Sequence, residues 1–142
     1  MKVLHLNYSD IRGGAAIAMN RLHQSLLENN INSQVLVFEK KLKKKDIICD
    51  TNYFENKKNY IKRKISFQFT KYQKINSKVT HSLNIFDSNI KKKIFKINPD
   101  ILHLHWINNE FISIKQIAEI GSAGIPIVWT MHDMWPYCGA EH

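Results

Sequence analysis

The sequence predicts an α/β fold: a parallel sheet with helices on both faces. Three observations lead there. Short runs rich in Val, Ile and Leu recur as "KVLHLNY" (2–8), "SQVLVFE" (33–39), "DILHLHW" (100–106) and "IPIVWTM" (125–131). They lack the strict alternation of a half-exposed strand, so they read as strands buried on both faces. Segments of helical spacing separate them, as parallel crossovers require. The 142 residues, 44% of them hydrophobic, suffice for one domain with a core.

The elements follow in order. "SDIRGG" (9–14) is a loop between the first strand and a helix, "AAIAMNRLHQSLLEN". That helix places Ala15, Ala18, Met19, Leu22 and Leu26 on its inner face and stops at Asn29-Asn30. Residues 40–56 read as an exposed connection. From Lys57 to Ile75, the residues Ile61, Ile65, Phe69, Tyr72 and Ile75 recur every three or four positions among lysines. This is a cationic amphipathic helix whose Ile/Phe face is expected to pack on the sheet. "HSLNIF" (81–86) reads as a short strand or a loop. "SNIKKKIFKI" (88–97) is a helix stopped by Asn98-Pro99. "ISIKQIAEI" (112–120) is a helix, and "GSAG" turns the chain into the last strand.

The net charge of +9 belongs to one region. Residues 40–96 carry seventeen Lys/Arg against four Asp/Glu, while the remainder carries four against eight. Only Arg12, Arg21 and Arg63 are arginines. Bidentate base and phosphate recognition leans on arginine, so a nucleic-acid partner is not expected. Anionic membrane is the better candidate partner for a lysine-rich amphipathic helix. No apolar run reaches the roughly 20 residues needed to span a bilayer. Cys49 and Cys138 are too few for a disulfide framework. The expected location is the cytoplasm, with the inner face of the cytoplasmic membrane as a resting surface.

Three loops leave strand carboxyl ends: Ser9–Gly14, Trp106–Asn109, and His132–Asp133 onward. In a parallel sheet such loops share one crevice, where ligands bind. Gly13-Gly14 opens a helix, where backbone N–H groups can approach an anion. It is neither G-x-G-x-x-G nor a P-loop, so no dinucleotide fingerprint is present. His103 and His105 share one face of their strand, with His103 the deeper. His103 reads as a satisfied core histidine, and His105 as a strand-end group that reaches the crevice. His132 and Asp133 repeat that arrangement. These residues allow a polar substrate site with a general base or hydrogen-bonding histidine. They also allow, with less support, a metal site of His103, His105, His132 and Asp133. The C-x-x-x-H of Cys138 and His142 has no second pair with which to close a zinc site.

Taken together, "MKVLHLNYSDIRGGAAIAMNRLHQSLLENNINSQVLVF", "NPDILHLHWIN" and "IPIVWTMHDMWPYCGAEH" resemble the N-terminal domain of family 4 retaining glycosyltransferases of GT-B architecture. The likeness is to bacterial enzymes that build colanic acid, capsule and O-antigen polysaccharides. It implies a Rossmann-like, acceptor-side domain over residues 1–142, with a basic helical insertion at about 40–96. It implies a nucleotide-sugar donor, a saccharide or lipid-linked acceptor, and no required cofactor or metal. It places Gly13 and Gly14 near the donor diphosphate, makes His105 the catalytic candidate beside the reacting sugar, and puts His132 and Asp133 in the same cleft. Arg12 and Asn108 complete the candidate substrate set, while Lys62, Arg63, Lys64 and Lys71 are the membrane-facing candidates. Measured against that family, the chain stops before the first domain's last strand and holds no E-x₇-E pair. The C-terminal donor domain is therefore expected to be missing, turnover by this piece alone to be small, and a sheet edge and apolar face to stand uncovered. Two other classes remain in view: a non-catalytic module that binds anionic lipid or polysaccharide, and a metal-dependent hydrolase.

Overall fold

A computed structural model describes residues 1–49, 53–72 and 81–138. Five parallel strands form one sheet in the order β3-β2-β1-β4-β5. They are β1 (Lys2–Ser9), β2 (Asn32–Glu39), β3 (Ile47–Cys49), β4 (Ile101–Leu104) and β5 (Ile127–Trp129). Helix α1 (Gly13–Glu28) covers one face, where Met19 packs with Val35, Val37 and Ile47. Helices α3 (Ile90–Ile97) and α4 (Ile114–Ser122) cover the other. There Ile90, Ile94 and Ile120 join Leu4, Leu6, Leu36, Leu102 and Leu104 in the main core. The expected α/β, Rossmann-like architecture is the one observed.

Local chemistry sets the helix ends. Asn98 takes a left-handed φ of 49° and closes α3 ahead of Pro99. Ser113 caps α4 in a capping box with Gln116. Residues 82–89 form no helix or strand. They are pinned by Asn84, whose amide donates to the carbonyls of Ile107 and Ile112. The chain ends its described part in α5 (Trp135–Cys138), one turn long. No helix among the described residues is long and apolar enough to cross a membrane.

Three elements differ from the sequence expectation. Strand β3 lies in the segment read as an exposed connection. It is three residues long beside six residues containing five lysines, too short to show a period. Helix α1 is rotated from the predicted stripe. Its buried residues are Ala16, Met19 and His23, while Leu22 is exposed. Polar anchors turn it: Asn20 donates to the carbonyl of Asp10, and His23 contacts Ser33 Oγ at 2.7 Å and Asp46 Oδ2 at 2.5 Å.

The third difference is the largest. Helix α2 (Tyr53–Tyr72) forms, but its apolar face points away from the protein. Phe54, Ile61, Ile65 and Phe69 are all exposed, at 40% or more. Among the described side chains of α2, the buried ones are Asn59 and Ser66. Asn59 donates to the carbonyl of Glu110, and Ser66 Oγ donates to the Glu110 carboxylate at 2.6 Å. That carboxylate, fully buried, also accepts from the backbone N–H groups of Asn84 and Phe86. A buried carboxylate needs several donors, and α2 supplies one from its polar side. Ile75 lies outside the described residues.

Candidate functional site

Strand order reverses between β1 and β4, so the loops that leave their carboxyl ends diverge and open a crevice. Its volume is about 500 Å³. Asn7, Tyr8 and Ser9 line it from β1, and Arg12, Gly13, Gly14 and Ala15 from the start of α1. Trp106 and Asn109 line it from the loop after β4, and His132 and Asp133 from the loop after β5. The three loops expected to converge do so.

The Gly13–Gly14 wall is shaped by backbone. Gly13 has φ +79°, a conformation that strains any residue with a Cβ. Gly14 has an ordinary φ and nothing within 4 Å of where a Cβ would stand. Arg12 occupies the N-cap of α1 without a side-chain capping bond, so no side chain of the cap residue covers the first-turn N–H groups. Its guanidinium is 74% exposed and 3.3 Å from Glu39. Beneath the loop, Asp10 is fully buried and ties two strand ends together. Its Oδ2 accepts from the N–H groups of Lys41 and Leu42 at 2.8 and 2.7 Å.

Asp133 is structurally committed. Its Oδ2 accepts from Trp106 Nε1 at 2.7 Å and from Asn108 at 3.3 Å, and its Oδ1 accepts from the Trp135 N–H. Asn108 is buried behind the wall and does not line the crevice; Asn109 takes that place. Trp106 is fixed from two sides, because Asn7 Oδ1 accepts its backbone N–H at 2.9 Å. Tyr8 Oη accepts from Arg63 at 3.4 Å. Burial raises the Tyr8 phenol above its ordinary range, against the pull of Arg63.

The histidines form a layer on the α1 face of the sheet. His5 on β1 pairs directly with His103 on β4. The rings of His103 and His105 stack at 4.2 Å. His103 is the satisfied core histidine expected, with Nε2 2.8 Å from Thr130 Oγ1. His105 departs from expectation. It is 3% exposed and absent from the crevice lining, because His132 stands between it and the opening. His105 Nδ1 lies 3.0 Å from His132 Nε2, and His105 Nε2 lies 3.2 Å from His5 Nδ1. Burial and neighbouring imidazoles hold His5 at about 3 and His105 at about 2. His132 is also lowered, by burial, with Asp133 opposing. All three are neutral at physiological pH.

His103, His105, His132 and Asp133 do not form one ligand set, because Asp133 faces Trp106 and Asn108. The ring nitrogens that do cluster, within 4.8 Å of one another, belong to His5, His103 and His105. Among the described residues no carboxylate or thiolate joins that group, so a dication held by these three rings would be buried without an anionic ligand from them. His5 was not singled out in the sequence. Its signal was the polar series His5, Asn7, Ser9 at period two in an otherwise apolar strand.

Of the basic candidates on α2, Lys62 donates to the carbonyl of Asp87 and Arg63 to Tyr8, so both turn toward the protein. Lys64 stands over the Tyr60 ring at 4.7 Å. The side chain of Lys71 and all of His142 lie outside the described structure. Cys138 is exposed and reduced. The chain matches no family model, no curated protein and no solved structure.

Proposed function

We propose that this chain is the acceptor-side unit of a retaining glycosyltransferase that uses a nucleotide-sugar donor. One observation carries the reading: the crevice at the β1/β4 switch point brings together a glycine-opened helix N-terminus, an exposed arginine, two aromatic walls and a neutral histidine. The N–H groups of α1 and the Arg12 guanidinium suit a diphosphate, which carries the charge that builds on the leaving group. Tyr8 and Trp106 offer flat apolar surface to a sugar ring. His132 replaces His105 as the histidine that meets substrate, and His105 supports it from behind. No E-x₇-E pair occurs in the sequence, so the reading includes low turnover by this chain alone.

Calorimetric titration with a panel of nucleoside diphosphates and their sugars tests it. Wild type should bind at least one, and Gly14→Val and Arg12→Ala should weaken that binding about tenfold, the worth of one charge-assisted hydrogen bond. A chain that binds none of the panel would sink the reading.

A second, compatible reading is supported by α2. Its outward face sets Phe54, Ile61, Ile65 and Phe69 among Lys57, Lys58 and Lys64, the arrangement of a helix that lies on anionic lipid. Sedimentation with phosphatidylglycerol vesicles should fall when these lysines become Glu, and should fall with salt. Equal sedimentation of the charge-reversed chain would remove the membrane from the account.

A further inference from the structure

Imidazole bookkeeping decides how His132 meets a ligand. A neutral imidazole carries one N–H and one lone pair, and a contact between two of them needs one of each. The chain His5–His105–His132 therefore has two arrangements. In the first, His132 Nε2–H donates to His105 Nδ1 and His105 Nε2–H donates to His5 Nδ1. The leftover proton then sits on His5 Nε2. In the second, His5 Nδ1–H donates to His105 Nε2 and His105 Nδ1–H donates to His132 Nε2. The leftover proton then sits on His132 Nδ1.

The buried end chooses between them. His5 is fully buried, and its Nε2 has no hydrogen-bond partner among the described residues. The first arrangement would strand an N–H there, which folded interiors almost never do. The second leaves only a lone pair in the core and delivers the N–H to the ring that lines the crevice. We propose that His5 and His105 are positioning residues that hold His132 as an Nδ1–H donor, so that the crevice receives an oxygen able only to accept, such as that of a phosphate or pyrophosphate. Beside it, the N–H groups at the start of α1 make the same demand of a ligand. The burial that keeps all three rings neutral is what allows a single tautomer to persist. The ligand class rests on the nucleotide-sugar reading; the tautomer does not.

Two-bond ¹H–¹⁵N NMR on the labelled protein reads each ring directly. His5, His105 and His132 should all be Nδ1–H tautomers, the minority form of free histidine in water. Inorganic pyrophosphate should shift the His132 Nδ1 resonance, and His132→Phe should weaken its binding about tenfold. His105→Leu should release His132 to the Nε2–H form, whereas Thr130→Val, which touches only His103, should not. An Nε2–H His132 in the wild type overturns the proposal, whatever the chain binds. The expected tautomer with no response to pyrophosphate overturns its receptor half. Nucleotide-sugar binding with the wrong tautomer would leave the glycosyltransferase reading standing and this one lost.

Discussion

Strands β1 and β4 present two faces that are equally buried and chemically opposite. On the α3/α4 side, Leu4, Leu6, Leu102 and Leu104 are fully buried in the main core. On the α1 side, the same strands offer His5, Asn7, Ser9, His103 and His105. The first face stabilises through area alone and has no preferred direction. The second is a chain of hydrogen bonds that leads from the core to the crevice. A parallel strand buried on both sides can thus keep its core on one face and reserve the other for orientation.

Acid should separate the two faces most strongly. His5 and His105 have folded-state pKa values of about 3 and 2, below the ordinary value of 6.5. The unfolded chain therefore binds more protons below pH 6.5. Their contribution is fully present above that pH and is lost as pH falls toward 3. By pH 4.5, two units below the unfolded value, the loss should approach roughly 3 kcal/mol for each histidine. Urea denaturation at pH 7.5, 5.5 and 4.5 measures it, and a pH-independent midpoint would break the comparison. Leu104→Ala, on the apolar face, should cost about 3 kcal/mol with no pH dependence.

Helix α2 extends the contrast to a helix. Ser66→Ala, which removes a donor from buried Glu110, should cost about 1–2 kcal/mol. Ile65→Ser, on the exposed apolar face, should change stability by no more than about 0.5 kcal/mol. The reverse order in thermal melts would mean that α2 docks by its Ile/Phe side. The smallest effects separate adjacent glycines. Gly13→Ala should cost about 1 kcal/mol through its positive φ. Gly14→Ala should be neutral or gain up to about 1 kcal/mol. If Gly14→Ala nonetheless lowers ligand affinity, the space above Gly14 belongs to the ligand.

Much of this fold was legible in the sequence because strands β1, β2 and β4 are short runs rich in Val, Ile and Leu, separated by segments of helical spacing. The shared crevice followed from topology, since strand carboxyl ends must converge. Orientation was harder to read. The period of α2 was visible, but the choice of inward face depended on Glu110, which lies 44 residues from Ser66. His105 and His132 were found as a pair, but their order along the line to the crevice was not, because it depends on how far β4 runs relative to β5. His5 escaped notice because only the β1/β4 register sets it opposite His103. Val128 on edge strand β5 is 48% exposed.

The Asp10 carboxylate has a practical consequence. Lys41 and Leu42 do not line the crevice, yet their amides are held by the residue that begins its glycine loop. Any ligand that steadies Ser9–Gly14 steadies Asp10, and with it the two amides across the sheet. Their rates of exchange with deuterium should slow on binding, giving a spectroscopic reporter of occupancy that the ligand never touches.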